Sequence, residues 1–292
     1  MKNLITIGIL LISISFGKVN IVASTTDLAD IAKSVGGDKV KVTSIARGNQ
    51  DPHYVEVLPS YMMKVKRADM YLQVGMELDL WSRQIIDGSR NRDLQIVDCS
   101  ENINRLEVPT DKIDASMGDI HSMGNPHYWL DPENGKIIAK TILNALISDD
   151  ISNADYYQTM YDNFVQNIDN MLEKLEIEYS HLSNQKVIFY HNSWPYFTHQ
   201  FGLKTIEFIE PKPGIMPSPA HLEKLIRTIN NGKVKLIAME PYFSDSAPKY
   251  LSSKTGIKYV RLAQSVNAIP EAKSYIEMFE YNLKTLSDIL GK

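Results

Sequence analysis

Three histidines of this 292-residue chain lie where their imidazoles could bind one metal ion. His53 and His127 each follow a proline, Pro52 and Pro126, whose fixed φ stiffens the loop that carries the ring. His191 comes directly after a β-rich run. Neutral imidazole is the commonest ligand of transition metals in proteins. The three rings are 74 and 64 residues apart along the chain, so no local metal motif exists and only the fold can bring them together.

The other four histidines and the single cysteine are weaker candidates. His121 lies in a polar stretch six residues before His127, where it is either an ordinary loop residue or an accessory metal contact. Cys99 ends an apolar run, which is typical of a small buried side chain rather than a nucleophile. The remaining three are interpreted as ordinary polar residues of helices: His181, His199 and His221.

The elements that must position these rings alternate along the chain. β-rich runs alternate with helical patterns in both halves, which predicts parallel sheets with helices on both faces. Strands are expected at 19–23, 40–45, 70–74 and 95–98, and again at 187–190, 204–209, 234–239 and 258–263. The last helix is expected over 271–290. Ligands of open sheets collect outside the carboxyl ends of the strands, so the three imidazoles should face one crevice between the halves.

One long helix separates the two halves. Apolar residues at 153–182 advance by threes and fours, and no glycine or proline interrupts them. Thirty residues would span about 45 Å, which suits a spine between two lobes better than a helix of a coiled coil or bundle. The sequence therefore predicts an α/β fold with two lobes, each a small parallel sheet flanked by helices, joined by one long rigid helix. The expected divisions are 18–150 for the first metal-binding lobe, 151–184 for the linker helix and 185–292 for the second.

The first 17 residues have the pattern of a cleaved secretion signal. Lys2 precedes an apolar run at 4–16 that is too short to span about 30 Å of hydrocarbon, and Ser15 and Gly17 are the small residues before a cut. A buried helix is the alternative. We expect export to a bacterial periplasm. A lipid anchor would need a cysteine after the cut, so we expect none.

Composition excludes some classes of function. Net charge is −4, from 31 basic and 35 acidic residues, so the basic surplus of a nucleic-acid binder is missing. The apolar content of 43% and charged content of 23% are those of an ordinary globular protein rather than a disordered one. A length near 300 suggests two domains.

Several motifs together resemble the zinc- and manganese-binding periplasmic proteins of bacterial ABC importers. They are Asp51-Pro52-His53, the run Asn125-Pro126-His127-Tyr128-Trp129-Leu130-Asp131-Pro132, His191 with Tyr196-Phe197, Glu240 with Phe243, and Tyr275 with Tyr281-Asn282-Leu283. The resemblance covers nearly the whole chain after the signal. It implies two lobes with the metal between them, a membrane permease as partner, and no enzymatic activity.

The fourth ligand departs from the family pattern. The resemblance implies an aspartate on the loop after the last strand, but Gln264 stands there, which leaves a water, the amide oxygen of Gln264 or a carboxylate from elsewhere as the fourth ligand. Glu240, at the carboxyl end of a predicted strand, is the alternative ligand, although a structural role is favoured for it; Glu207 and Glu210 are weaker candidates. Three imidazoles favour Zn(II), whereas Mn(II) prefers carboxylates. By the same resemblance, zinc importers often carry a histidine-rich loop before the second ligand. In this chain the matching segment, 111–123, holds only His121, which weakens the zinc interpretation without reversing it.

The sequence thus predicts a monomeric periplasmic protein that captures Zn(II) between two lobes and delivers it to an ABC permease. A manganese-specific protein of the same type is the main alternative. A zinc hydrolase or lyase would use the same three ligands plus water, but no general base is evident beside them. A surface adhesin on this scaffold is the third hypothesis. No nucleic-acid partner is expected.

Overall fold

Two parallel four-stranded sheets carry the fold. The structure is a computed structural model that describes residues 17–110, 118, 121–232 and 234–291. The predicted signal segment therefore lies outside the described residues, apart from Gly17. No helix within the described ranges is both long and apolar enough to span a membrane.

Both sheets have the same strand order. The first is β2-β1-β3-β4 and the second β6-β5-β7-β8, and every pairing is parallel. The strands of the first sheet are β1 (Val19–Ala23), β2 (Val40–Ser44), β3 (Met70–Gln73) and β4 (Gln95–Asp98). The strands of the second are β5 (Lys186–Phe189), β6 (Lys204–Phe208), β7 (Leu236–Met239) and β8 (Lys258–Arg261). All eight predicted strands are confirmed, with ends that differ by at most two residues.

Helices flank both sheets. The first half contains α1 (Thr26–Gly36), α2 (Pro59–Val65), α3 (Trp81–Ser89) and α4 (Pro132–Asp149), and α5 (Ala154–Glu178) links it to the second. The second half contains α6 (Pro195–Phe201), α7 (Pro219–Asn230), α8 (Ser246–Thr255) and α9 (Tyr275–Leu290). The predicted α/β fold with two lobes and a joining helix is therefore confirmed.

Two helices are shorter than the sequence predicts. The linker α5 has 25 residues rather than 30, about 37 Å, because the chain tightens into a 3₁₀ turn at Ser180–Leu182. Leu182 remains buried, so the apolar stripe continues beyond the α-helix. The last helix begins at Tyr275 rather than 271, because the Ser274 side chain accepts from the Glu277 backbone N–H and caps it.

One hydrophobic core runs through both lobes. It joins apolar side chains of β1, α1, α4, α5, β5 and α9, and α5 packs against α1, α4 and α9. Two smaller clusters lie on the outer faces of the sheets, one under α2 and α3 and one under α7 and α8. Among the described strands, none of one sheet is thus hydrogen-bonded to a strand of the other, but apolar side chains of both sheets belong to the same hydrophobic core.

Carboxylates of α1 also bind the segment that follows β8. Asp27 Oδ1 accepts from the Val266 backbone N–H at 2.9 Å, and Asp30 Oδ2 accepts from the Tyr275 backbone N–H at 2.8 Å. These bonds attach residues 264–275, which follow the last strand of the second sheet, to the first helix of the first lobe.

Candidate metal site

Three imidazoles meet between the two sheets. The donor nitrogens of His53, His127 and His191 all lie within 4.8 Å of one another. Their ring centroids are 5.2 Å apart for His53 and His127, 5.4 Å for His53 and His191, and 5.8 Å for His127 and His191. His53 lies in the loop after β2, His191 lies two residues after the end of β5, and His127 lies before α4. Chain segments far apart in sequence therefore create one cluster of nitrogen donors.

The two Pro-His motifs orient their rings in the same way. Asp51 Oδ1 accepts from His53 twice, from the backbone N–H at 3.0 Å and from ring Nδ1 at 2.8 Å. Asn125 Oδ1 likewise lies 3.1 Å from the His127 backbone nitrogen and 3.0 Å from its Nδ1. A backbone N–H can only donate, so the Asn125 side chain must present its oxygen, and Nδ1 must then carry the hydrogen.

This tautomer leaves Nε2 with a lone pair for a metal ion. Nε2 of both His53 and His127 is buried and has no hydrogen-bond partner among the described residues. A buried acceptor without a partner is unfavourable in the metal-free protein. A cation bound at these atoms would satisfy both.

His191 has a carboxylate partner instead. Its Nδ1 lies 2.7 Å from Glu210 Oε2, and the same oxygen accepts from the Gly214 backbone N–H at 3.1 Å. Both side chains of this pair are buried. Glu210 thereby fixes the ring so that Nε2 is the nitrogen available to a metal. Glu210, expected from the sequence only as a weaker ligand candidate, is thus the partner of a ligand ring, a role that the sequence does not indicate.

The environments of His127 and His191 move the pKa values of these two rings in opposite directions. Burial, followed by the positive charge that His53 and His191 can carry, holds the pKa of His127 well below its usual value. Burial also acts to lower the pKa of His191, but the hydrogen bond to Glu210 and the charges of Glu240 and Glu210 outweigh it and raise that pKa. His127 is therefore neutral near pH 7, as a metal ligand must be.

The two predicted fourth-ligand candidates are fully buried and already engaged in part. Gln264 Oε1 accepts from the Tyr242 hydroxyl at 2.7 Å. Glu240 Oε1 accepts from Trp194 Nε1 at 2.9 Å, and burial raises the pKa of Glu240 to about 7. Among the described residues, the group of converging donors contains no carboxylate, so Glu240 lies outside it. Glu207 pairs with Lys224 on the surface.

His121 lies at the edge of the cluster. Its ring stacks on His53 with 5.4 Å between centroids, and it lines a cavity of about 50 Å³ together with His127 and His191. The neighbouring Ser122 is held by Glu77, whose carboxylate accepts from the Ser122 backbone N–H and hydroxyl at 2.6 Å each. His121 is thus near the three donors without belonging to their group.

Two parallel-sheet lobes around a buried cluster of imidazoles define a metal-binding protein of the substrate-binding type. The chain belongs to the ZnuA family, zinc-uptake complex component A periplasmic, whose model matches residues 21–289. The resemblance expected from the motifs is therefore confirmed. Members of this family are substrate-binding components of metal ABC transporters rather than enzymes.

Individual relatives are distant but cover nearly the whole chain. The manganese ABC transporter substrate-binding lipoprotein PsaA of Streptococcus anginosus is 26% identical over 287 residues, which is 94% of this chain and 90% of the relative. A crystal structure of ZnuA superposes with a TM-score of 0.82 at 23% identity, covering 94% of this chain and all of the other. A cadmium-bound periplasmic metal binding protein from Candidatus Liberibacter asiaticus has a TM-score of 0.77 at 23% identity, with coverages of 94% and 100%.

Proposed function

We propose that this protein captures one Zn(II) ion through His53, His127 and His191 and delivers it to the membrane permease of an ABC importer. The observation that carries the proposal is the convergence of three donor nitrogens within 4.8 Å, two of them buried Nε2 atoms without partners. Tetrahedral zinc with Zn–N distances of about 2.05 Å separates its nitrogens by about 3.3 Å. Since the donors lie within 4.8 Å of one another, binding would bring each pair closer by at most about 1.5 Å.

Ligand chemistry favours zinc over manganese. Imidazole suits Zn(II), whereas Mn(II) prefers carboxylates and a higher coordination number. All three converging donors of the described chain are nitrogens. The carboxylates of Asp51 and Glu210 bind the rings rather than the centre, and their two negative charges balance a divalent ion.

We assign the fourth position to a solvent molecule. Gln264 Oε1 is held by the Tyr242 hydroxyl, and the other terminal atom of Gln264 is an amide nitrogen, which only donates. Glu240 has one oxygen held by Trp194 and one without a partner among the described residues, but its carboxylate lies outside the group of converging donors. His121 would act as an accessory contact at the edge of the site, next to His53.

The proposal includes export and a soluble, monomeric form. Removal of residues 1–17 would release the chain into the periplasm. The streptococcal relative is named a lipoprotein. In this chain the only cysteine is Cys99, which is fully buried beside β4 and therefore unsuited to carry a lipid.

Metal analysis of untagged protein tests the proposal. We expect one zinc per chain and, in competition titrations, tighter binding of Zn(II) than of Mn(II). His127→Ala should lose the metal, whereas His199→Ala, at a histidine of α6 outside the cluster, should keep it. If Mn(II) binds more tightly than Zn(II), the proposed cargo is manganese and not zinc. Substoichiometric metal in the unaltered protein after exposure to either ion would refute the proposal.

A further inference from the structure

A cluster of three amide and carboxylate side chains joins the lobes beside His127. Asn125 Nδ2 donates to Glu107 Oε2 at 3.1 Å and to the Asn192 backbone oxygen at 2.8 Å. Asn192 Nδ2 donates to the same Glu107 oxygen at 2.8 Å. Asn125 and Glu107 belong to the first half of the chain, whereas Asn192 follows His191 in the second. Two neighbours of metal-binding histidines are therefore bonded across the crevice.

The loop that presents Glu107 is itself held from both sides. The Leu106 backbone oxygen accepts from the Asn125 backbone N–H at 2.9 Å. The Leu106 backbone N–H donates to the Tyr196 hydroxyl of α6 at 3.0 Å. Glu107 has a φ of 55°, in the left-handed region that residues other than glycine seldom adopt. The segment that carries Glu107 is thus hydrogen-bonded to both lobes through Leu106.

The contrast between Asp51 and Asn125 shows what an amide adds. Both side chains orient a ring through the same pair of contacts, and a carboxylate would perform that task at least as well. Only an amide can accept from His127 with its oxygen and donate both of its hydrogens to acceptors in the other direction. Both acceptors around Nδ2, the Glu107 carboxylate and the Asn192 carbonyl, would repel an aspartate.

We propose that Asn125 is a positioning residue that couples the metal-binding orientation of His127 to the contact between the lobes. Separation of the lobes at Asn192 withdraws one of the two anchors of the Asn125 amide, which loosens its hold on His127 and speeds release of the metal. The permease would then trigger release by disturbing this edge rather than by reaching the ion. This inference rests on the proposed function, since it concerns the same three histidines.

An exchange of amide and carboxylate tests the coupling. Zn(II) is loaded into the unaltered protein, Asn125→Asp, Glu107→Gln and the double variant, and its release to excess chelator is timed. We expect about 10- to 100-fold faster release from Asn125→Asp, the range typical when a partner of a ligand is altered. The double variant should recover part of the loss, because an amide nitrogen at position 107 can donate to the new carboxylate at position 125. The bond from Asn125 Nδ2 to the Asn192 carbonyl stays lost, so full recovery is not expected.

Asp51→Asn is the matched control, because it makes the reverse exchange at a histidine without a cross-lobe amide. Its effect should not change when Glu107→Gln is added. The Co(II) absorption spectrum of each variant reports the coordination geometry, which a loss of general stability alone would leave unchanged. We expect the Asn125→Asp spectrum to differ from that of the unaltered protein and the spectrum of the double variant to lie between the two.

Release from Asn125→Asp at the original rate, or no recovery in the double variant, would overturn the inference while leaving the proposed function intact. Failure of the unaltered protein to retain Zn(II) in the same assay would instead overturn the proposed function, and the inference with it.

Discussion

Asp27 gives the most quantitative prediction, because it is a buried carboxyl at the contact between the lobes. Oδ1 accepts from the Val266 backbone N–H, and Oδ2 is buried with no hydrogen-bond partner among the described residues. Burial is the largest cause that raises its pKa from 3.8 to about 7. We predict that Asp27→Asn stabilises the metal-free protein above neutral pH, because asparagine keeps the acceptor for Val266 and carries no charge.

The sign and size follow from linkage between protonation and folding. A carboxyl whose pKa is higher in the folded than in the unfolded state holds its proton longer in the folded state, so its contribution to stability falls as pH rises. The loss begins near pH 3.8 and is complete above about pH 7. Three pKa units correspond to about 4 kcal/mol. The free energy of unfolding of the variant minus that of the unaltered protein should therefore grow between pH 4 and 7 and then remain constant.

Urea unfolding of demetallated protein at several pH values from 4 to 8 measures this difference. Other titrating groups are common to both proteins, so the difference isolates Asp27. Asp38→Asn, at an exposed site just beyond α1, is the control and should show no such trend. A difference that does not change with pH, or a variant that is less stable than the original at pH 8, would refute the reasoning.

Four further predictions concern the metal. His127→Ala should weaken Zn(II) binding by about 100- to 1,000-fold in a competition titration. A four-ligand zinc site binds with roughly 10–16 kcal/mol, so one ligand contributes about a quarter of that free energy. An unchanged affinity would remove His127 from the ligand set. Glu210→Gln should weaken Zn(II) binding about 10- to 100-fold at pH 8. It should also move the pH at which binding fades to lower values, because the carboxylate that raises the pKa of His191 is gone; titrations at stepped pH would show no shift if Glu210 were irrelevant. Gln264→Asp should narrow the preference for Zn(II) over Mn(II) by about tenfold, roughly the 1.4 kcal/mol of one added charged contact. A wider preference in the same titration would mean that a carboxylate at position 264 does not reach the ion. Zinc at 100 times its Kd should stabilise the protein by about 2.7 kcal/mol and raise Tm by several degrees in calorimetry, whereas no shift would mean that folded and unfolded chains bind zinc alike.

The sequence predicted the strands because each is a short apolar run, which is a local signal. The three histidines have no local metal motif, and their convergence was predicted only by adding the general rule that ligands collect at the carboxyl ends of parallel strands. Helix ends were less accurate where a side chain decides them, as at Ser274, whose hydroxyl begins α9 four residues later than the apolar pattern suggests.

The partners of the rings were missed for a different reason. Asp51 and Asn125 each stand two residues before their histidine, and an oxygen-bearing side chain before Pro-His is a local signal that could have been used. Glu210 lies 19 residues from His191. The contact between Asp27 and Val266, which joins the lobes rather than holding a ring, spans 239 residues. Nothing in a local pattern pairs residues at such distances, because only the completed fold brings them together.

The hydrophobic core that both lobes share also determines how the molecule should unfold on heating. Side chains of both sheets and of the linker α5 belong to one buried cluster, and α9, the last helix, packs back against α1 and α5. Melting should therefore be a single cooperative event in which neither lobe survives alone. A chain cut after α5 would lose α9, and α1 and α5 would then expose the apolar side chains that α9 covers. We therefore expect the metal to enter and leave by local loosening at the rim of the crevice, while the body of the protein stays closed.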